Sequence, residues 1–184
     1  GEYIVRMDDD DISYPERINT LVTFLDKNPD YAFAGSLVEC FDGNQTINGQ
    51  RMYRKEQPKK RDFLSTSPFV HPTVMFRREA LEAVKNYRVS KETRRTEDYD
   101  LFMRLYSHGY KGYNIQTPLY RYYIAPDAMV KKRLYRYRID EAIIRWKGFG
   151  ALGLLPGAFP YVIRPLLVGL IPQKLIWYLK YKKG

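Results

Sequence analysis

The chain has 184 residues, with 31 Lys and Arg against 21 Asp and Glu, a formal net charge of +10. Apolar residues make up 45% and aromatic residues 15%, which excludes disordered, collagen-like and coiled-coil chains and suffices for one packed domain. One cysteine and two histidines exclude a disulfide framework, a cysteine-based zinc site and a multi-histidine metal site, so a bound metal must be held by carboxylate oxygens.

The chain opens at Gly1 with neither an initiator Met nor a signal-peptide pattern, and reads as an excerpt or cleaved product of something longer. Its longest uncharged run, residues 148–163, has 16 residues broken by Gly and Pro, too short for a standard transmembrane span. Charge is unevenly placed. Residues 1–50 carry ten acids and three bases, residues 51–130 sixteen bases and nine acids, and residues 131–184 twelve bases and two acids. An acidic front suits a cation; a basic rear suits phosphate, nucleic acid or a lipid headgroup.

In chain order, Tyr3 to Met7 predicts a buried strand that delivers four aspartates, Asp8 to Asp11, at its end. Ser13-Tyr14-Pro15-Glu16 has the form of a capping box, and Ile18, Leu21, Val22 and Leu25 then repeat at helical spacing as far as Lys27. Tyr31 to Phe41 predicts a strand turned by Asp42-Gly43. Residues 44–68 are polar and basic, and predict a mobile excursion containing a short helix. Asn44-Gln45-Thr46 matches a glycosylation sequon, an accidental one in a chain without a secretory signal. Val70 to Phe76 reads as a strand through His71-Pro72, and Arg77 to Val84 as a short helix. Thr96 caps a helix that opens on Glu97-Asp98, turns Leu101, Phe102 and Leu105 inward, and is closed by Gly109. Tyr110 to Ile115 and Leu119 to Ile124 predict two strands, Met129 to Lys147 a basic amphipathic helix, and 148–184 an apolar tail with Gly and Pro breaks. Strands alternating with helices predict an α/β fold with a partly parallel sheet.

Four consecutive aspartates repel one another unless a divalent cation or protons neutralise them. Asp8 and Asp10 can share one ion and leave room for phosphate oxygens. A solvated acidic loop before a helix N-terminus explains the same residues, and both readings stand. An EF-hand is excluded, because Ser13 and Asn19 occupy the positions that need Gly and Glu. Asp98 with Glu97 offers a general base if it faces a cleft, or a first-turn acid paired with Arg94 or Arg95. His71 is either a ligand or a satisfied structural residue.

The combination is more specific than its parts. The strand ending Arg6-Met7-Asp8-Asp9-Asp10-Asp11-Ile12-Ser13, followed by Pro15-x-Arg17-Ile18, resembles the Asp-x-Asp segment of family 2 glycosyltransferases with the GT-A fold. Val70-His71-Pro72-Thr73-Val74-Met75-Phe76-Arg77 resembles the strand that follows in that family, and Thr96-Glu97-Asp98-Tyr99-Asp100-Leu101-Phe102-Met103-Arg104-Leu105 resembles its Glu-Asp helix. The resemblance implies a partial GT-A (Rossmann-like) mixed sheet flanked by helices. Residues 1–128 would be the acceptor-side part of the catalytic domain, and 129–184 a basic, apolar helical extension. It also implies inverting transfer of a sugar from a nucleotide-diphosphate donor to a glycan or lipid-linked acceptor, in surface polysaccharide synthesis. Asp8 and Asp10 would hold Mg or Mn, Asp8 also facing the nucleotide ribose. Asp98 would be the base with Glu97 beside it, His71 would lie near the acceptor cleft, and Arg104 would support it. The nucleotide-binding half that usually precedes this strand is absent here. Ala125 stands about where relatives place a further His.

Lys131, Lys132, Arg133, Arg136, Arg138, Arg145 and Lys147 mingle with Leu134, Tyr135, Ile139, Ile143 and Trp146, the composition of an interfacial membrane segment. A helical subdomain packed on the sheet is the other reading. The expected location is the cytoplasm, at the inner face of the cell membrane. A catalytically dead membrane-surface module, a nucleic-acid-binding module and a metal-dependent nuclease are the competing classes, although no DNA- or RNA-binding motif occurs and no nucleic-acid partner is expected.

Overall fold

A computed structural model describes residues 1–43, 46–51, 54–125 and 134–171. Its centre is a six-stranded mixed sheet of β1 (Tyr3–Val5), β2 (Ile12–Ser13), β3 (Phe33–Phe41), β4 (Thr46–Arg51), β5 (Met75–Arg77) and β6 (Gly112–Tyr123). The order is β1-β5-β3-β6-β2, with β4 also on β3. The β3–β6 pair is parallel and the others are antiparallel. Five helices accompany the sheet: α1 (Arg17–Lys27), α2 (Arg78–Ala83), α3 (Glu97–Ser107), α4 (Arg136–Ala151) and α5 (Phe159–Leu170). The predicted mixed α/β architecture is therefore present.

β3 is buried for most of its length, as a strand flanked on both edges and covered on both faces must be. Phe33 anchors the core, with ring centroids 4.8 Å from Phe69 and 5.3 Å from Phe102. β6 passes so close that a Cβ on Gly112 would fall 2.2 Å from the Phe33 ring. On α3 the predicted inward face holds, since Leu101, Phe102 and Leu105 are fully buried. On α1, Leu21 and Leu25 are buried but Ile18 is exposed. Ile144, Phe149, Leu152, Ala158 and Val162, from α4, α5 and the turn between them, belong to the same buried cluster as Phe33 and Phe102.

Several local expectations are corrected. The capping box does not form: Ser13 lies in β2 opposite Tyr120, its hydroxyl donates to the Tyr14 carbonyl at 3.2 Å, and α1 starts at Arg17. His71-Pro72 is not in a strand. Pro72 lacks an N–H for a ladder, and residues His71–Thr73 make a single helical turn before β5. The 44–68 excursion contains a strand, β4, besides its short helix at Lys60–Leu64. The two predicted strands after α3 are one. Between Ser36 and Leu37 of β3 the partner jumps from Ile115 to Pro118, a bulge that Pro118 tolerates because it has no N–H to pair. The basic helix begins at Arg136, and its expected start at 129–133 lies outside the described residues, as do Asn44 and Gln45 of the sequon.

Candidate active site

β1 stops at Val5, so the aspartates leave the sheet in a turn and do not alternate along a strand. The turn separates them into different environments. Asp8 is half-buried and its Oδ1 is ion-paired with the Arg6 guanidinium. Asp9 and Asp10 are exposed. Asp11 is buried, and its Oδ1 accepts the Tyr123 N–H at 2.7 Å, which ties the turn to the end of β6. Burial raises the Asp11 pKa, and the Asp10 and Asp8 charges push in the same direction.

Arg17 fixes this turn from beneath. It is almost fully buried and lies 4.7 Å from the centroid of the Tyr120 ring. Its Nη2 donates to the Arg6 carbonyl at 2.6 Å and to the Pro72 carbonyl at 2.8 Å. One guanidinium thus holds the end of β1 against the His71-Pro72 turn, assisted by the Arg6 N–H donating to the Val74 carbonyl at 2.9 Å. The Asp8 N–H donates to the Tyr120 hydroxyl at 3.1 Å.

His71 faces a residue that sequence reasoning missed. Its Nε2 is hydrogen-bonded to the Tyr87 hydroxyl at 2.7 Å. Burial, then the nearby Arg6 charge, brings the His71 pKa down to about 4, so the imidazole is neutral at physiological pH. Burial pushes the Tyr87 phenol up to about 12; Arg6 opposes, while Asp98, Glu97 and Asp8 add to the rise. Tyr87 therefore sits in the field of both acidic motifs, which are ninety residues apart in sequence.

Asp98 and Glu97 open α3. The Asp98 carboxyl is pushed up to about 6, first by burial and then by the Glu97 and Asp8 charges, against the Tyr99 N–H and its own. Glu97 has a buried Oε2 without a hydrogen bond. No ion pair to Asp98 or Glu97 occurs among the described residues, so the predicted alternative of pairing with Arg94 or Arg95 is not adopted there.

Arg104, on the same helix, faces away from this pair. Its Nε donates to Asp100 Oδ2 at 2.8 Å and its Nη2 to the Asn86 carbonyl at 2.7 Å, while Nη1 reaches the Val84 carbonyl. These bonds clamp the reversal after α2, where Lys85 and Asn86 both have positive φ, and Tyr87 follows directly. The structure thus brings Asp8, His71, Glu97 and Asp98 near enough to act on one another's charge or on Tyr87, leaves Asp10 exposed, and uses Arg104 to hold the reversal before Tyr87. No sequence signal marked Tyr87 or the clamp, because both depend on a non-helical reversal.

A divalent cation is implied by the family resemblance. Among the described residues no group of three or more His, Cys, Asp or Glu side chains stands in a metal-binding arrangement. The donor set still fits a hard cation. Asp8 and Asp10 could each offer a carboxylate oxygen, Asp8 Oδ1 being held by Arg6, and Mg in particular keeps most of its shell for water and phosphate oxygens.

Comparison with known proteins bears on the family and the fold. Residues 1–85 match the family model described as Glycosyl transferase family 2, a stretch that ends before α3. EpsE of Bacillus subtilis (strain 168), a protein that carries a glycosyltransferase name, is 36% identical over 176 residues, covering 96% of this chain and 62% of EpsE. The UDP-Gal:alpha-D-GlcNAc-diphosphoundecaprenol beta-1,3-galactosyltransferase of Escherichia coli is 27% identical over 187 residues, covering 99% of this chain and 66% of that enzyme. The crystal structure of S. aureus TarS 1-349 in complex with UDP-GlcNAc aligns with a TM-score of 0.58 at 14% identity, over 89% of this chain and 50% of that one. The TarS likeness identifies the mixed sheet and its flanking helices as a GT-A type of architecture. Over residues 1–85 the chain is thus similar to glycosyltransferase family 2, and it spans 62% of the length of EpsE.

Proposed function

We propose that this chain carries the diphosphate-side acids and the acceptor-side base of an inverting glycosyltransferase, which moves a sugar from a nucleotide-diphosphate donor to a glycan or lipid-linked acceptor in surface polysaccharide synthesis. The supporting observation is the proximity of the Asp8 turn, the His71–Tyr87 pair and the start of α3, with Asp98 and Tyr87 both in the field of Asp8. The relatives' names, a diphosphoundecaprenol-linked acceptor in one case, match this chemistry.

Asp8 and Asp10 would hold Mg or Mn. Bound there, the ion would supply positive charge to offset that of the departing nucleoside diphosphate. Asp98 takes the proton of the acceptor hydroxyl. A carboxylate held near pH 6 is ionised at neutral pH yet more basic than an ordinary aspartate, which suits a general base. Attack of that hydroxyl on the face opposite the departing diphosphate inverts the anomeric carbon. The Glu97 charge keeps Asp98 basic. His71 presents a neutral imidazole to the acceptor, and Arg104 positions Tyr87 and through it His71. The place of action is the cytoplasmic face of the membrane; no helix among the described residues is long and apolar enough to cross it.

The test is Asp98→Asn in the full enzyme. It should leave nucleotide-sugar binding intact and lower transfer by about 10²- to 10⁴-fold, the usual worth of a general base. Wild-type turnover in that variant would reject the assignment.

A further inference from the structure

The far side of the molecule from the sheet ends in two helices whose outward faces are apolar. On α4, Ile139, Ile143 and Trp146 follow at i, i+4 and i+7 and are all exposed, Trp146 at 53%. On α5, Phe159, Leu167 and Leu170 are exposed, Leu170 at 69%, with half-buried Ile163 on the same stripe. The two stripes lie side by side. At one end the Trp146 and Phe159 rings meet edge to face at 6.4 Å. At the other end the Tyr135 hydroxyl donates to the Leu166 carbonyl at 3.5 Å, and the Tyr135 ring lies where a Cβ on Gly169 would come within 2.9 Å of it.

The opposite face of the pair is fixed to the core. Ala142, Ile144, Phe149 and Val162 are buried. Arg145, also buried, is held by Glu141 and donates to the Leu64 and Ser65 carbonyls at 2.8 and 3.1 Å. A helix pair anchored by one face and apolar on the other leaves more large side chains in water than a helix of a soluble domain ordinarily does. Exposed cations stand on the same two helices, Arg136 and Lys147 on α4 and Arg164 on α5, Lys147 being paired with Glu92 at 2.7 Å.

We infer that the joined outer face of α4 and α5, with Trp146 and Phe159 at one end and Leu170 at the other, is a docking surface for an anionic lipid bilayer. It lies flat at the headgroup level, its apolar side chains entering the acyl boundary while the arginines meet lipid phosphates. Tyr99, next to the proposed base, is 5.3 Å from the Arg145 guanidinium, so the docked helices are one packed layer from that base. A lipid-linked acceptor would then arrive beside Asp98. This deepens the membrane side of the proposed function and rests on it for that last step alone.

The experiment is co-sedimentation of the protein with vesicles of phosphatidylcholine, alone or mixed with phosphatidylglycerol. Trp146 fluorescence is followed in a Trp177→Phe background, with brominated lipid as quencher. Expected are binding to the anionic vesicles, weakening as salt is raised, and quenching of Trp146. Ile143→Ser with Leu167→Ser, both at exposed positions, should weaken binding on the order of tenfold without moving the thermal midpoint. Three results would overturn the inference: no association with either vesicle, association unchanged in the double variant, or a dimer in solution that the double variant dissolves. Mn-dependent binding of nucleoside diphosphate separates the two proposals. In a chain extended upstream through the nucleotide-binding half, vesicle binding without it contradicts the transferase reading and leaves this one standing, and the reverse contradicts this one alone.

Discussion

The two sides of the first turn of α3 carry carboxylates in opposite circumstances. Asp100 is buried and satisfied: Arg104 bonds it at 2.8 Å and Arg88 approaches to 3.4 Å. Asp98, two residues earlier, is half-buried with no ion-pair partner among the described residues, beside Glu97 and in the field of Asp8. The same residue type on the same helix is a structural clasp on one side and the proposed base on the other. The presence or absence of an arginine decides which. The clasp serves the base, because the Arg104 that neutralises Asp100 also holds the reversal from which Tyr87 reaches His71.

Substitutions at the two acids should therefore differ in kind. The largest effect is expected from Asp98→Asn, which removes transfer while stabilising the fold. The sign follows from linkage. The Asp98 pKa is about 6 in the folded protein and near the ordinary 3.8 when unfolded. Its favourable contribution is complete below the unfolded value and is lost as pH rises through 6, so above that the ionised group costs about 3 kcal/mol. Urea denaturation should find Asp98→Asn more stable than wild type at pH 8, by up to that amount, and equal to it near pH 4. Asp100→Asn should do the reverse, losing about 3 to 5 kcal/mol at neutral pH because Arg104 and Arg88 are left without their counter-charge. Equal denaturation midpoints for the two variants would erase the distinction.

A smaller effect, about 3 kcal/mol, is expected of Gly112→Ala, whose Cβ would press on the Phe33 and Phe69 rings and push β6 from β3. It should reduce stability as measured by thermal unfolding without changing the pH dependence of transfer, since neither acid touches it. The smallest is Tyr87→Phe, about 1 kcal/mol for one hydrogen bond. NMR titration of the two imidazoles should still find His71 neutral to well below pH 6, because burial is the larger cause of its low pKa.

Much of this was legible in the sequence. The inward face of α3 and its acidic start follow from residue type and period, and the structure keeps both; the buried strand expected over Tyr3 to Met7 is only Tyr3–Val5, half-buried at Tyr3 and Ile4 and exposed at Val5. What could not be read is what depends on partners remote in sequence. Nothing local tells Asp11, pinned by the Tyr123 amide, from exposed Asp10 next to it. Ser13 looked like a cap because its spacing to Glu16 is right, yet pairing with Tyr120 on β6 claims it for the sheet. Pro72 and Pro118 were each underestimated: one ends a strand that apolar content suggested, and the other sits at a bulge that joins two. Arg145 read as part of a basic helix face and is instead a buried tie to the turn at Leu64 and Ser65.

The central claim is that Asp98 is a base whose affinity for protons is set by desolvation and by the Glu97 and Asp8 charges near it. The most direct measurement is a carboxyl ¹³C NMR titration of the metal-free protein, with the Asp98 resonance assigned by its loss in Asp98→Asn. The predicted midpoint is about 6, falling by a smaller step in Asp8→Asn as one of the two neighbouring charges is removed. A midpoint near 4, or one that Asp8→Asn leaves unmoved, would contradict the account.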